Sequence, residues 1–145
     1  MKSKQLINPI LVFLLGGLIY LLFRSESIRF FDYIAYLKLD KILSTIRSFT
    51  LPINQLIPNW IIYSLPDGLW LFSFSLIINK IWTKEDKIQF WFWMLLFPST
   101  ALIWEIGQAF HFINGTFDWA DLIVYSIILI YFLTINQTKY YEQTT

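Results

Sequence analysis

Apolar residues dominate this chain in four long stretches, separated by segments in which charges return every few positions. Residues 7–23, INPILVFLLGGLIYLLF, follow Lys2 and Lys4 and stop at Arg24, which predicts a first membrane span (TM1) with flanking residues that snorkel. Its apolar run is longer than a signal-peptide core of ~7–15 residues, and no small-x-small cleavage site follows, so a retained anchor is expected. Asn8-Pro9 reads as the helix entrance, and Gly16-Gly17 as a place for ordinary membrane packing. Residues 28–49 then alternate differently. Phe31, Ile34, Ala35, Leu39, Ile42, Leu43 and Ile46 recur at three- and four-residue steps with charges between them, the pattern of an amphipathic helix on the bilayer surface or over the bundle. Pro52 and Pro58 are expected to close that segment.

Residues 60–82 give TM2, with its regular helix expected to begin at Pro66 and Trp60 to Leu65 as an interfacial lead-in. Asp67 would then lie in the first turn, where the free N–H groups favour a negative charge. TM3 is predicted over 88–110, bent at Pro98, with Ser99 and Thr100 placed to satisfy freed backbone groups. TM4 is predicted over 117–135, after a short HFINGT connector in which Asn114-Gly115 turns the chain and Thr116 serves as the N-cap. The resulting fold class is all-α: a single-domain four-helix transmembrane bundle with an amphipathic interfacial helix between TM1 and TM2. Membrane lipid is its first partner. No internal repeat of the inverted transporter kind is visible.

Composition agrees with the pattern, at 57% hydrophobic, 20% aromatic and only 14% charged residues. A net charge of +1 without a basic run gives no electrostatic support to nucleic-acid binding. With no cysteine there is no disulfide, thiolate nucleophile or cysteine metal site. No cofactor motif is present either. Lys80, Lys84 and Lys87 crowd the TM2–TM3 connector while the TM3–TM4 connector has no lysine or arginine, which predicts both termini cytoplasmic in a cell (inner) membrane.

In any insertion the start of TM2, the end of TM3 and the start of TM4 share one membrane face. Asp67, Glu105, Gln108, Asp118 and Asp121 therefore form one layer, expected on the extracytoplasmic side, and ionisable groups there are functional candidates. Three-residue spacing puts Glu105 with Gln108, and Asp118 with Asp121, on common faces. Asp67 and Asp118 are equally accounted for as helix-start carboxylates. Glu105 is harder to explain, because it lies roughly 8 Å inside the end of TM3, near a C-terminus where the dipole opposes it. A proton shared with Asp121 or Asp67 is one expectation; a hydrogen bond to Gln108 or Trp104 Nε1 is the structural alternative. His111, the single histidine, reads as a solvated ring, and no metal-specific spacing, Ser–His–Asp order or phosphate loop occurs.

Pro66-Asp67, then Glu105-Ile-Gly-Gln108, then Asp118-Trp-Ala-Asp121 resembles the VanZ-like family over roughly residues 64–131. The chain has Gly68-Leu69-Trp70, Gly115-Thr116-Phe117 and Tyr125 where that family usually carries a lysine and histidine, an arginine and an asparagine. The resemblance implies a multi-pass bacterial cell-envelope protein, of a family whose founding member is linked to teicoplanin-type glycopeptide resistance. On that reading the acidic pocket engages a polar, lipid-linked or glycopeptide-type ligand. Two other readings stay open: an intramembrane enzyme with Glu105, Asp121 or Asp67 as general acid/base, and a structural subunit of an oligomer or membrane complex whose carboxylates lock helices together.

Overall fold

The computed structural model describes residues 8–25, 29–82 and 87–141, leaving out the side chains of Arg29, Leu51, Lys87 and residues 137–141. Lys2, Lys4, Ile7, Ile28 and Lys84, used above to bound segments and set orientation, lie outside the described residues. Six helices are present among those described: α1 (Pro9–Phe23), α2 (Arg29–Tyr36), α3 (Asp40–Asn54), α4 (Asn59–Ile81), α5 (Lys87–Ala109) and α6 (Trp119–Tyr141). Three stretches, Asn59–Ile81, Ile88–Ala109 and Trp119–Asn136, are long and apolar enough to cross a membrane, not the four expected. α1 is as apolar but has 15 residues, roughly 22 Å at the helical rise, against a hydrocarbon core of ~30 Å.

α4 is the hub. It packs against α1, α5 and α6, and Leu71 and Leu76 from α4 join Met94 from α5 and Tyr125, Ile128 and Phe132 from α6 in one buried cluster. Gly68 lets α6 come close, since a β-carbon there would overlap Val124. On the other side α1 runs antiparallel to α4. Ser73 Oγ donates to the Pro9 carbonyl at 2.8 Å and Trp70 Nε1 to the Phe13 carbonyl at 3.2 Å. Gly16 is buried beneath the Trp70 indole, and a β-carbon there would sit 2.9 Å from it. Gly16 thus has the close-approach role, whereas Gly17 faces open space.

Asn8 caps α1 by accepting the Ile10 N–H at 3.0 Å, and Pro9 follows as its first residue. The other end of α1 is held by α3. Arg47, only 3% exposed, donates to the Leu21 carbonyl at 2.6 Å and the Arg24 carbonyl at 2.7 Å, and Thr50 Oγ1 reaches the Leu22 carbonyl at 3.3 Å. A cation on the last carbonyls of a helix satisfies both their lone pairs and the macrodipole. The continuous amphipathic helix expected over 28–49 is two helices. The break is a C-terminal cap in which the Leu39 N–H reaches the Ile34 carbonyl and the Lys38 N–H the Ala35 carbonyl, with Lys38 in the left-handed region at φ 58°. α3 runs through Pro52 to Asn54, so that proline does not end it. Ile42, Ile46, Phe49 and Ile53 leave an exposed apolar stripe along α3.

Three further boundaries differ from expectation, one being the end of α6, which runs to Tyr141 rather than to 135. α4 begins at Asn59, just after Pro58, and continues through Pro66 without interruption. α6 begins at Trp119, and its cap is Asp118 rather than Thr116: Asp118 Oδ1 accepts the Ala120 N–H at 2.8 Å. α5 likewise continues through Pro98, where Thr100 Oγ1 donates to the Phe97 carbonyl at 2.8 Å rather than to Met94, whose carbonyl the proline leaves free.

Candidate functional site

The end of α1, the start of α4, the end of α5 and the start of α6 meet at one end of the bundle, and the acids lie there. Asp67, Glu105, Asp118 and Asp121 are near enough to act on one another electrostatically, with Arg24 beside Asp67 and Asp121. Their environments differ sharply.

Glu105 is 6% exposed and accepts the Asp118 N–H at 3.2 Å through Oε2. The α5 dipole disfavours it, but the start of α6 favours it more directly, with an unpaired backbone donor aimed at the carboxylate. This is an inter-helix cap. The partner is neither Gln108 nor Trp104, the two anticipated. Glu105 also takes the N–H to which Asp121, the third residue of α6, would reach back in an ordinary capping box. Asp121 is left facing the 0% exposed Ser64 hydroxyl, with no well-formed hydrogen bond to its buried Oδ1.

Gln108, with its amide turned to suit its neighbours, donates to the Thr116 carbonyl at 3.0 Å and accepts from Trp104 Nε1 at 3.1 Å. It braces the α5–α6 turn. His111 ends α5 at φ 60°, its N–H on the Gln108 carbonyl at 3.0 Å and the next N–H, that of Phe112, on the Gly107 carbonyl at 2.8 Å. Gly115 closes the turn at φ 151°, where a β-carbon would overlap the Gln108 side chain. Among the described residues no group of three or more His, Asp or Glu side chains is disposed to hold a metal ion.

Asp67 is different. It is the ninth residue of α4, roughly 12 Å from the start, so the first-turn explanation does not apply. It lines an open-sided cavity of about 350 Å³. Asp67, Trp70, Leu71 and Phe74 form one wall from α4, and Phe97, Thr100, Ala101 and Trp104 the other from α5, with Tyr125 of α6 completing the lining. Both walls follow the i, i+3, i+4, i+7 spacing of a single helix face. Because the helices are antiparallel, Asp67 faces the Trp104 end, and Phe74 and Phe97 meet at the other end, their rings stacked at 5.5 Å and 14°. The groove is polar at one end and closed by aromatic rings at the other.

Of the five residues read as a pocket, only Asp67 lines this cavity; Glu105, Gln108 and Asp118 are engaged in the α5–α6 turn, and Asp121 lies beside Ser64. Sequence reasoning missed Trp70, Trp104, Tyr125 and Arg24 as site components. The two stripes were visible as helix faces, but nothing in the sequence said that they oppose each other. No protein-family model, curated protein or solved structure matches this chain.

Proposed function

We propose that this chain is an integral membrane protein that holds an amphiphilic ligand in the α4–α5 groove, polar head at Asp67 and apolar part toward the Phe74–Phe97 stack. The observation that carries this is the placement of Asp67: a carboxylate in the third turn of an apolar helix, on the wall of an open cavity whose other lining is mainly aromatic and aliphatic. An ionisable group in an apolar helix needs a partner or a ligand, and Asp67 faces a cavity. The volume falls at the lower end of the ~300–1,000 Å³ typical of small-molecule sites.

In this reading α1 is the fourth crossing, supported by its antiparallel run along α4 and by the absence of charge from Pro9 to Phe23. Both termini are cytoplasmic, which rests on the lysines of the α4–α5 connector. The acidic layer then faces outward, toward lipid-linked molecules of a cell envelope, the setting that the Pro66-Asp67, Glu105-x-x-Gln108 and Asp118-x-x-Asp121 resemblance to VanZ-like proteins implies. The test is saturable quenching of tryptophan fluorescence by a brominated alkyl amphiphile, given that Trp70 and Trp104 line the groove. Ala101→Trp, which fills it, is expected to abolish the saturable component without changing helix content; unchanged quenching in that variant overturns the proposal.

A further inference from the structure

Resting on the groove as an amphiphile site, we infer that the head group it selects is a quaternary ammonium. Each polar group on the walls other than Asp67 and Tyr125 is already engaged. Trp70 Nε1 donates to the Phe13 carbonyl at 3.2 Å, Trp104 Nε1 to the Gln108 amide at 3.1 Å, and the Thr100 hydroxyl to the Phe97 carbonyl at 2.8 Å. Both indoles thus have their donors engaged, so neither adds a free N–H to the cavity.

The polar end of the groove consequently combines one carboxylate with three aromatic side chains, Trp70, Trp104 and Tyr125. Aromatic rings attract a cation through their quadrupole, and a carboxylate adds the complementary charge. A primary ammonium can pair with the Asp67 carboxylate, but its compact, strongly hydrated charge offers the surrounding rings no apolar surface. A trimethylammonium has no donor to satisfy. Its charge is spread over methyl groups that pack on rings, and the groove meets that chemistry without an unmet hydrogen bond.

The same end of the bundle already handles one cation this way. Arg24 sits 4.7 Å from the Tyr63 ring and 5.5 Å from the Tyr20 ring, with Nη1 donating to the Tyr63 carbonyl at 3.2 Å. It acts on Asp67 only through its charge and is not part of the groove lining. The α4 stripe from Asp67 to Phe74 spans roughly 10 Å along the helix, which suits a short alkyl chain below the head.

The experiment measures binding of octyltrimethylammonium, protonated octylamine, octanol and octylphosphocholine to the full chain in maltoside micelles, with empty micelles as the blank. Octyltrimethylammonium is expected to bind roughly three- to tenfold more tightly than octylamine, the size of effect that a partly exposed cation–π site gives. Asp67→Asn and, separately, Trp104→Leu should each remove that preference; Trp104 is 57% exposed, so its replacement tests the ring without emptying the core. Tighter binding of octylphosphocholine than of octyltrimethylammonium assigns the head to a zwitterionic choline lipid, the reverse to a free cationic amphiphile, and either supports the inference. Equal binding of all four, or a preference for octylamine, overturns it while leaving the amphiphile groove standing. Absence of saturable binding by any of them removes the groove reading itself.

Discussion

Glu105 and Asp67 are two acids in apolar helices at the same end of the bundle, and their surroundings are opposite in kind. Glu105 lies within two turns of the end of α5, yet it is buried and bonded to the first turn of a different helix. Asp67 lies deeper along its own helix and faces a cavity. Depth along a helix therefore does not sort structural from functional charges. What sorts them is whether unpaired backbone groups converge on the side chain. Arg47 makes the same point with the opposite sign: it is a buried cation whose charge is absorbed by the last carbonyls of α1.

Charges at helix ends that proved dispensable would erase this distinction. The largest effect is expected for Arg47→Met, which leaves the Leu21 and Arg24 carbonyls without their donors. The loss should be about 3 kcal/mol in a detergent-unfolding titration, and a change under ~1 kcal/mol would show that the clamp is idle. Glu105→Ala should lose about 2 kcal/mol, because the Asp118 N–H is stranded, whereas Glu105→Gln keeps an acceptor and should recover part of that loss. Equal losses in the two variants would mean that the bond to Asp118 is not what matters.

Smaller effects sharpen it. Asp118→Ala removes a single cap bond and should cost about 1 kcal/mol of unfolding free energy, while Asp118→Ser is nearly neutral. His111→Gly should stabilise by about 0.5–1 kcal/mol, since glycine takes the left-handed conformation freely. Asp67→Asn is the smallest, within about 0.5 kcal/mol. That near-silence in stability, together with a lost preference for the quaternary ammonium head, is what separates Asp67 from Glu105; a large stability loss would instead place it among the structural charges.

Periodicity and composition alone predicted an all-helical chain with membrane-length apolar helices, located α4, α5 and the start of α6 to within a few residues, and put the acids at one end. They determined this much because helix length, apolar content and alternation along the chain are local properties. They failed at Pro66 and Pro52, which look like helix boundaries and are interior residues, because packing against neighbouring helices compensates for one missing backbone bond. They also missed the bond from Glu105 to the start of α6 and put Asp67 in a first turn that begins two turns earlier. Only the tertiary structure decides which helix end meets which side chain: Arg47 with the end of α1, Glu105 with the start of α6, and the Asp67 face of α4 with the Trp104 face of α5. These pairings join residues far apart in sequence, and no periodicity along one helix records what stands opposite it.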